Sequence, residues 1–153
     1  MCWPWLKSEA DRHGVTQSVI WTGWLPMNTA WQYVCAADVG ISIFPRSYIL
    51  DSASPTKVVE YLALGIPVLA NDNPDQKQII ETTQCGLCVE LTAQNMADGL
   101  TRILSTDVDY KSTAENGINY ILNNRNYNTI SKQLAQSYAD HINAATIKSK
   151  RVN

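Results

Sequence analysis

The chain alternates short apolar runs with segments in which apolar residues recur at helical spacing. Runs ended by glycine or proline predict strands, and the segments between them predict helices. The predicted strands are residues 18–23, 39–45, 67–71 and 87–91, and the predicted helices are residues 5–13, 28–38, 55–64, 75–83, 92–105, 109–124 and 128–146. Strands that are apolar throughout and alternate with helices indicate a parallel sheet covered on both faces. We therefore predict an α/β, Rossmann-like doubly wound fold, formed by residues 1–153 as a single domain.

Ligands of doubly wound folds bind beyond the carboxyl ends of the parallel strands. Two of the loops predicted at those ends are "PRSYILDSA", residues 45–53, and "NDNPD", residues 71–75. Both loops are polar and long enough to hold a ligand. The sequence therefore places its candidate chemistry at this edge of the sheet.

The stretch "SPTKVVEYLALGIPVLAND" begins with a helix start directly after the first of these loops. Ser54 is a natural N-cap, and Pro55 suits the first helical position because its missing N–H costs nothing there. Free backbone N–H groups at such a terminus attract anions, above all phosphate. Lys57 is unfavourable in a first helical turn unless an anion docks beside it, and Glu60 could accept hydrogen bonds from paired hydroxyls. The alternative is an exposed Lys–Glu pair three residues apart, of little energetic weight.

Other chemical motifs are absent from the sequence, including GxGxxG, the Walker loop and the GxSxG elbow. Asp72 and Asp75 could act as an acid pair or bind a metal, although such loops are more often simply turn-forming. Cys85 and Cys88 form a CxxC, which could be a redox pair or half of a zinc site. Cys2, Cys35, His13 and His141 lack ligand-like spacing, and the pair runs into a strand pattern, so two structural cysteines are the favoured interpretation.

Composition narrows the classes of protein further. The chain has 153 residues, 45% of them hydrophobic and 17% charged, with a formal net charge of −2. That balance argues against nucleic-acid or membrane-surface binding, which usually needs a basic excess. The start, "MCWPWLKSEA", lacks the regions of a signal peptide, and we expect a cytoplasmic protein. Five tryptophans crowd the first 31 residues, and we expect them to pack a core or a partner surface rather than to stack bases.

The run S-P-x-K-x-x-E-Y-x-A-x-G-x-P-V, with "VIWTGWLP", "AADVGISIFP" and "IIETTQCGLCVE" around it, resembles a known family. It is similar to the C-terminal, donor-binding half of retaining glycosyltransferases with the GT-B fold, in particular glycosyltransferase family 4. The resemblance extends from about Val19 to the closing helices. It implies a nucleotide sugar as the substrate, transfer to an acceptor hydroxyl with retention, and no resident metal or cofactor.

The resemblance also implies roles for particular residues. Glu60 matches the second glutamate of the family's Glu-x7-Glu motif, which binds the ribose hydroxyls of the nucleotide. The backbone of Ser54, Pro55, Thr56 and Lys57 matches the helix terminus that cradles the diphosphate. Ser52 stands where the family has its first glutamate, with Asp51 beside it.

The family's donor half opens with two further strands and is preceded by an acceptor domain. We therefore expect a fragment that lacks both, that binds the donor but hardly turns it over, and that meets membranes only through the absent half. Two alternatives remain. A non-catalytic interaction module would keep the fold without binding nucleotides, and a sugar-nucleotide epimerase would need further acid–base residues.

Overall fold

The computed structural model describes residues 3–105 and 109–150, without the side chains of residues 111 and 145–150. The chain divides into two compact units, residues 1–32 and 33–153. The single domain expected from the sequence stays a prediction. No helix in the described ranges is long and apolar enough to cross a membrane.

The first unit contains helix α1, Trp3–Arg12, a 3-10 turn at Thr16–Ser18, and the beginning of helix α2, Met27–Cys35. The strand predicted over residues 18–23 is wrong. Val19 has extended backbone angles, but residues 19–23 pair with no other strand in the described part of the chain. A strand needs a neighbour to bond its N–H and C=O groups, so apolar, β-branched residues alone did not produce one here.

Two of the five tryptophans pack against each other. The rings of Trp3 and Trp21 meet edge to face with their centroids 5.5 Å apart, and the Lys7 ammonium lies 5.9 Å from the Trp21 centroid. Trp5, Trp24 and Trp31 are exposed. Of the two roles expected for the tryptophans, these three do not pack a core, and a partner surface stays a prediction for them.

The second unit is built around three parallel strands: β1, Gly40–Ser42; β2, Val68–Asn71; and β3, Gly86–Val89. They lie in the order β1-β2-β3, with Gly40 opposite Val68 and Val68 opposite Gly86. Three of the four predicted strands are thus confirmed, each somewhat shorter than the apolar run that predicted it. Their carboxyl ends share one edge of the sheet.

Helices connect and cover these strands. They are α3, Thr56–Ala63; α4, Pro74–Thr83; α5, Ala93–Leu104; α6, Ala114–Asn124; and α7, Tyr127–Lys150. All five lie where the apolar periodicity predicts helices. The predicted starts differ by one or two residues, except that a 3-10 turn at Tyr110–Thr113 precedes α6.

The core has one part on each face of the sheet, because successive side chains of a strand point to opposite sides. Val68 and Ala70 of β2 pack with Leu62 of α3, Ile79 of α4 and Ile121 of α6. The intervening Leu69 packs on the other side with Ile103 of α5 and with Tyr110. Helices on both faces of a parallel sheet confirm the doubly wound α/β fold.

Two glycines are needed for their backbone angles. Gly65 has φ +73° and ends α3: Ile66 N–H donates to the Tyr61 carbonyl at 2.9 Å and Gly65 N–H to the Leu62 carbonyl at 3.0 Å, the paired bonds of a Schellman motif. Gly86 has φ +136° and lies hard against the backbone of Val68 in β2. Gly65 sets the turn into β2, and Gly86 lets β3 approach β2.

Candidate functional site

Helix α3 begins at the carboxyl edge of the sheet, one residue later than predicted. Pro55 is its N-cap and is buried, and no side chain caps the helix. Ser54 as the N-cap and Pro55 as the first helical residue are therefore wrong, because the Ser54 hydroxyl is engaged elsewhere: it donates to Asp75 Oδ2 at 2.7 Å. Proline has no N–H, and the first N–H groups of a helix lack intrahelical acceptors. The amides of Thr56, Lys57 and Val58 thus form the positive end of the helix dipole, and of these residues Thr56 and Lys57 are exposed.

Both charged residues of α3 point to solvent, while Val58 and Leu62 on the same helix are fully buried. Lys57 lies in the first turn, which carries no acidic residue, and Glu60 lies one turn further on. Within the described ranges, neither side chain forms an ion pair or hydrogen bond, so the alternative interpretation, an exposed Lys–Glu pair, is wrong. An ammonium and a carboxylate therefore stand unengaged beside the helix terminus.

Arg46 ties the two predicted ligand loops together. Its guanidinium donates to Asp51 Oδ1 at 2.7 Å and Oδ2 at 3.0 Å, and its Nη1 contacts Asp72 Oδ2 at 2.8 Å and the Asp72 carbonyl at 2.9 Å. The hydrogen bond with Arg46 lowers the pKa of Asp51, and in turn Asp51 raises the pKa of Arg46. A folded-state pKa below the unfolded value means that this tie is complete near neutral pH and weakens as acid protonates Asp51.

Two buried amide side chains, Asn71 and Gln76, form an amide layer between these loops and the strands. Asn71 closes a two-bond ring with the backbone of Phe44: Phe44 N–H donates to Asn71 Oδ1 at 2.7 Å, and Asn71 Nδ2 donates to the Phe44 carbonyl at 2.8 Å. Gln76 donates to the Asn71 carbonyl at 3.2 Å and accepts from the Ser42 hydroxyl at 2.5 Å. Asn71, Gln76 and Ser42 are fully buried. The Asn71 amide thus extends the β1–β2 ladder beyond the end of the strands.

Ser52 lies in the 3-10 turn Leu50–Ser52, and its hydroxyl donates to the Ile49 carbonyl at 2.7 Å. Asn73 secures the same turn, since its Nδ2 donates to the Leu50 carbonyl at 2.8 Å. These two hydrogen bonds therefore hold the turn that contains Ser52 just before the start of α3.

Asp75 connects α3 with the end of α6. Arg125, the C-cap of α6, contacts Asp75 Oδ1 through its Nη2 at 2.6 Å and lies 3.5 Å from the Ser54 hydroxyl through Nη1. The Arg125 side chain is 25% exposed and that of Asp75 is 19% exposed. Asp72 and Asp75 thus engage different arginines and do not form the acid pair considered from the sequence. The described residues also contain no group of three or more metal-ligating side chains.

The structure therefore gathers the residues predicted from the sequence, Ser52 and Ser54 to Lys57 together with Glu60, around the start of one helix. Sequence reasoning missed Arg46 and Arg125. Arg46 could have been found, since it lies in a loop already assigned to the ligand edge. Arg125 could not, because it is 71 positions from Ser54 and nothing in the pattern links them.

The positions of the two CxxC cysteines support a structural role for them rather than a redox or zinc-binding role. Cys85 precedes β3 and is buried, and Cys88 is half-buried within β3, so neither lies at a helix N-terminus. Burial raises the pKa of Cys85, and burial raises the pKa of Cys88 to about 11. Cys35 is exposed. Cys2 lies outside the described residues.

We expect a thiol reagent to distinguish these cysteines. At pH 8 a thiol of pKa about 11 is roughly a hundredfold less ionised than an ordinary one, and the thiolate is the reactive form. In a Cys2→Ser background, Cys35 should therefore react with a disulfide reagent far faster than Cys85 or Cys88. Stopped-flow absorbance with mass-spectrometric assignment would measure this. Fast modification of Cys88 in folded protein would contradict the structural interpretation and reopen the redox one.

The family model described as "Glycosyl transferases group 1" matches residues 4–120, so the chain belongs to the group 1 glycosyl transferases. Among solved structures, it is similar to sucrose-phosphate synthase from Thermosynechococcus elongatus, with a TM-score of 0.74 and 20% sequence identity. The match covers 91% of this chain and 34% of that one, so the chain spans about a third of the enzyme's length. No curated protein matches significantly. The likeness confirms the Rossmann-like half of a GT-B fold expected from the sequence.

Proposed function

We propose that this chain is the donor-binding domain of a retaining glycosyltransferase and that it holds a nucleotide diphosphate sugar at the start of α3. The diphosphate would accept hydrogen bonds from the exposed amides of Thr56 and Lys57. The Lys57 ammonium would lie alongside the phosphates. Glu60 would accept hydrogen bonds from the two ribose hydroxyls.

The observation that carries the proposal is the uncapped first turn of α3. A side-chain cap or an acidic residue in the first turn normally stabilises a helix start, and α4 and α6, which also lack a side-chain cap, carry Asp75 and Glu115 in their first turns. In α3 the cap is a proline, no side chain replaces it, and the first turn carries Lys57 instead of an acid. A bound anion would satisfy both the free amides and the lysine, and family membership makes a diphosphate the natural guest.

Three of the four neighbouring acids do not oppose this anion strongly, because each is held by an arginine; the fourth, Glu60, is unpaired among the described residues and lies one turn further along α3. Asp51 and Asp72 are engaged by Arg46, and Asp75 by Arg125. Together with Lys57 these six side chains carry three positive and three negative charges. The helix terminus then supplies the remaining positive potential at the site.

Such a site performs glycosyl transfer by stabilising the leaving group. The bond between the anomeric carbon and the phosphate oxygen breaks with its electron pair moving to the diphosphate, which gains charge. Donors already aimed at that position stabilise the charge as it develops. The acceptor hydroxyl forms the new bond to the anomeric carbon, and its proton passes to the departing diphosphate oxygen. We propose that a separate domain supplies the acceptor, as the match to one third of a larger enzyme suggests.

Calorimetric titration with UDP and GDP, run in parallel on the parent and on Glu60→Ala, tests the proposal. We expect the parent to bind one of them and Glu60→Ala to lose on the order of 1–3 kcal/mol, as for hydrogen bonds to a charged group. Glu115→Ala is the matched control, since Glu115 is also an exposed helical glutamate but lies in the first turn of α6.

A deoxynucleotide sharpens the assignment. If Glu60 binds the ribose hydroxyls, the 2′-deoxy form of the nucleotide should bind the parent more weakly and should lose less affinity on Glu60→Ala. An equal loss for both nucleotides would place Glu60 elsewhere in the site. Absence of nucleotide binding by a folded parent would contradict the proposed function and favour a non-catalytic interaction module.

A further inference from the structure

Three side chains far apart in the sequence meet behind the start of α3. Ser54 Oγ donates to Asp75 Oδ2 at 2.7 Å, and Asp75 Oδ1 accepts from Arg125 Nη2 at 2.6 Å. Arg125 Nη1 lies 3.5 Å from Ser54 Oγ, which closes a triangle. Arg125 and Asp75 are the least exposed ion pair in the described part of the chain, at 25% and 19%.

Each member of the triangle belongs to a different element. Ser54 directly precedes the N-cap Pro55 of α3, Asp75 lies in the first turn of α4, and Arg125 is the C-cap of α6. An acid at a helix start and a base at a helix end are both favoured by the helix dipoles. Burial alone would lower the pKa of Arg125, but its hydrogen bond to Asp75 raises that pKa overall, so the guanidinium stays charged.

The triangle leaves α3 little freedom at its start. Further along, α6 packs directly on α3, where Gly117 lies against Leu62 and Ile121 joins the same buried cluster. Pro55 and Val58 are also buried at the start of the helix, and the triangle adds a polar restraint on Ser54 to this apolar anchor. Ser54 is exposed, and its side chain has hydrogen-bond contacts only with Asp75 and Arg125 among the described residues.

We propose that Arg125 is a positioning residue for the donor site. Acting through Asp75 and Ser54, it sets the direction in which α3 presents the amides of its first turn, without touching the ligand. The inference rests on the proposed function for the identity of the ligand. In this proposal Ser54 does not contact the phosphate. It links α3 to Asp75 and Arg125, and we call these three side chains the clamp.

Hydrogen exchange read by mass spectrometry tests the clamp without any ligand. Arg125→Gln removes the charge and should speed exchange of the α3 amides about tenfold, as expected for losing one partner of a partly buried ion pair. Exchange in α5, which has no part in the triangle, should be unchanged. Lys77→Gln is the matched control because Lys77 is exposed on α4 and only loosely paired with Glu81, at 3.8 Å. Unchanged α3 exchange in Arg125→Gln would overturn the clamp.

Ligand titration then tests positioning. For whichever of UDP and GDP the parent binds, the ratio of its affinity to that of the corresponding monophosphate isolates the terminal phosphate. This ratio should fall about fivefold in Arg125→Gln because misaligned amides lose charge-assisted bonds. A simple loss of folded protein would lower both affinities equally. Adding Ser54→Ala to Arg125→Gln should lower the affinity ratio little further, since both substitutions break the same triangle. Arg125→Lys, which keeps the charge, should retain part of the parent's ratio.

The outcomes separate the two proposals. A parent that binds UDP or GDP, with an unchanged ratio in Arg125→Gln, overturns the positioning role and leaves the proposed function standing. A parent that binds neither nucleotide overturns the proposed function and the ligand part of this inference together. In that case the exchange experiment still decides whether Arg125 holds α3.

Discussion

Replacing Gly86 with alanine should destabilise the second unit by more than about 3 kcal/mol, because two penalties fall on one atom. At φ +136° an L-residue is strained whatever space surrounds it. In addition, the new Cβ would lie 2.7 Å from the backbone nitrogen of Val68 and closer still to its carbonyl oxygen. Both clashes are with the backbone of the central strand, which cannot move aside without breaking the β2–β3 ladder. Urea unfolding followed by circular dichroism would measure the loss.

Gly65→Ala is the control for Gly86→Ala. Gly65 also has a left-handed φ, but its added Cβ would meet only the side chains of Ile118, at 3.4 Å, and Ala114, at 3.6 Å, which are ordinary contacts. We therefore expect a loss of about 1–2 kcal/mol, the cost of the left-handed backbone alone. Equal losses at the two positions would show that the clash at Val68 relaxes and that β3 does not depend on this close approach.

The second large effect is expected for Asn71→Asp, which changes one nitrogen to oxygen in the buried amide layer. The Asn71 Nδ2 donates to the Phe44 carbonyl. In the variant a carboxylate oxygen would face that carbonyl oxygen with no proton between them, and a negative charge would be buried. We expect a loss of more than about 3 kcal/mol at pH 7. Denaturant unfolding of parent and variant at several pH values would measure it.

The pH dependence of Asn71→Asp gives a second test. The carboxyl group would have a raised pKa in the folded protein, so the penalty should grow as pH rises above the unfolded value of about 4. Below that pH the protonated acid can donate to Phe44 again, and the difference from the parent should shrink. Asn119→Asp, at an exposed position on α6, should show neither effect. A penalty independent of pH would argue that the charge escapes to solvent.

The sequence predicted the second unit well because its signals were local. Apolar runs located β1, β2 and β3, and helical spacing with Pro55 and Gly65 located α3 to within a residue. The failed strand at residues 18–23 shows the limit of such signals. Val19 and Ile20 are good strand formers, but strand formation depends on a pairing partner that no local pattern reveals.

The candidate site was predictable in its backbone and not in its side-chain partners. Ser54 has the residue type of an N-cap, yet Asp75 competes for its hydroxyl from 21 positions away. The sequence could place Ser54 and Asp75 at the same edge of the sheet, but the choice between backbone cap and carboxylate depends on the fold. Arg125 enters only through the packing of α6 on α3, which amphipathic spacing cannot position.

Helix α3 contributes to the core and, in the proposed function, to the donor site, since Val58 and Leu62 are fully buried while Lys57 and Glu60 face outward. Folding and ligand binding on this helix are consequently linked equilibria. A ligand present at a hundred times its dissociation constant would add about 2.7 kcal/mol to stability. Conversely, core substitutions that loosen α3 would reduce ligand occupancy without altering any group that contacts the ligand. Thermal-shift screening of nucleotide sugars would therefore test the proposed donor site, since a ligand that binds at the start of α3 would raise the melting temperature.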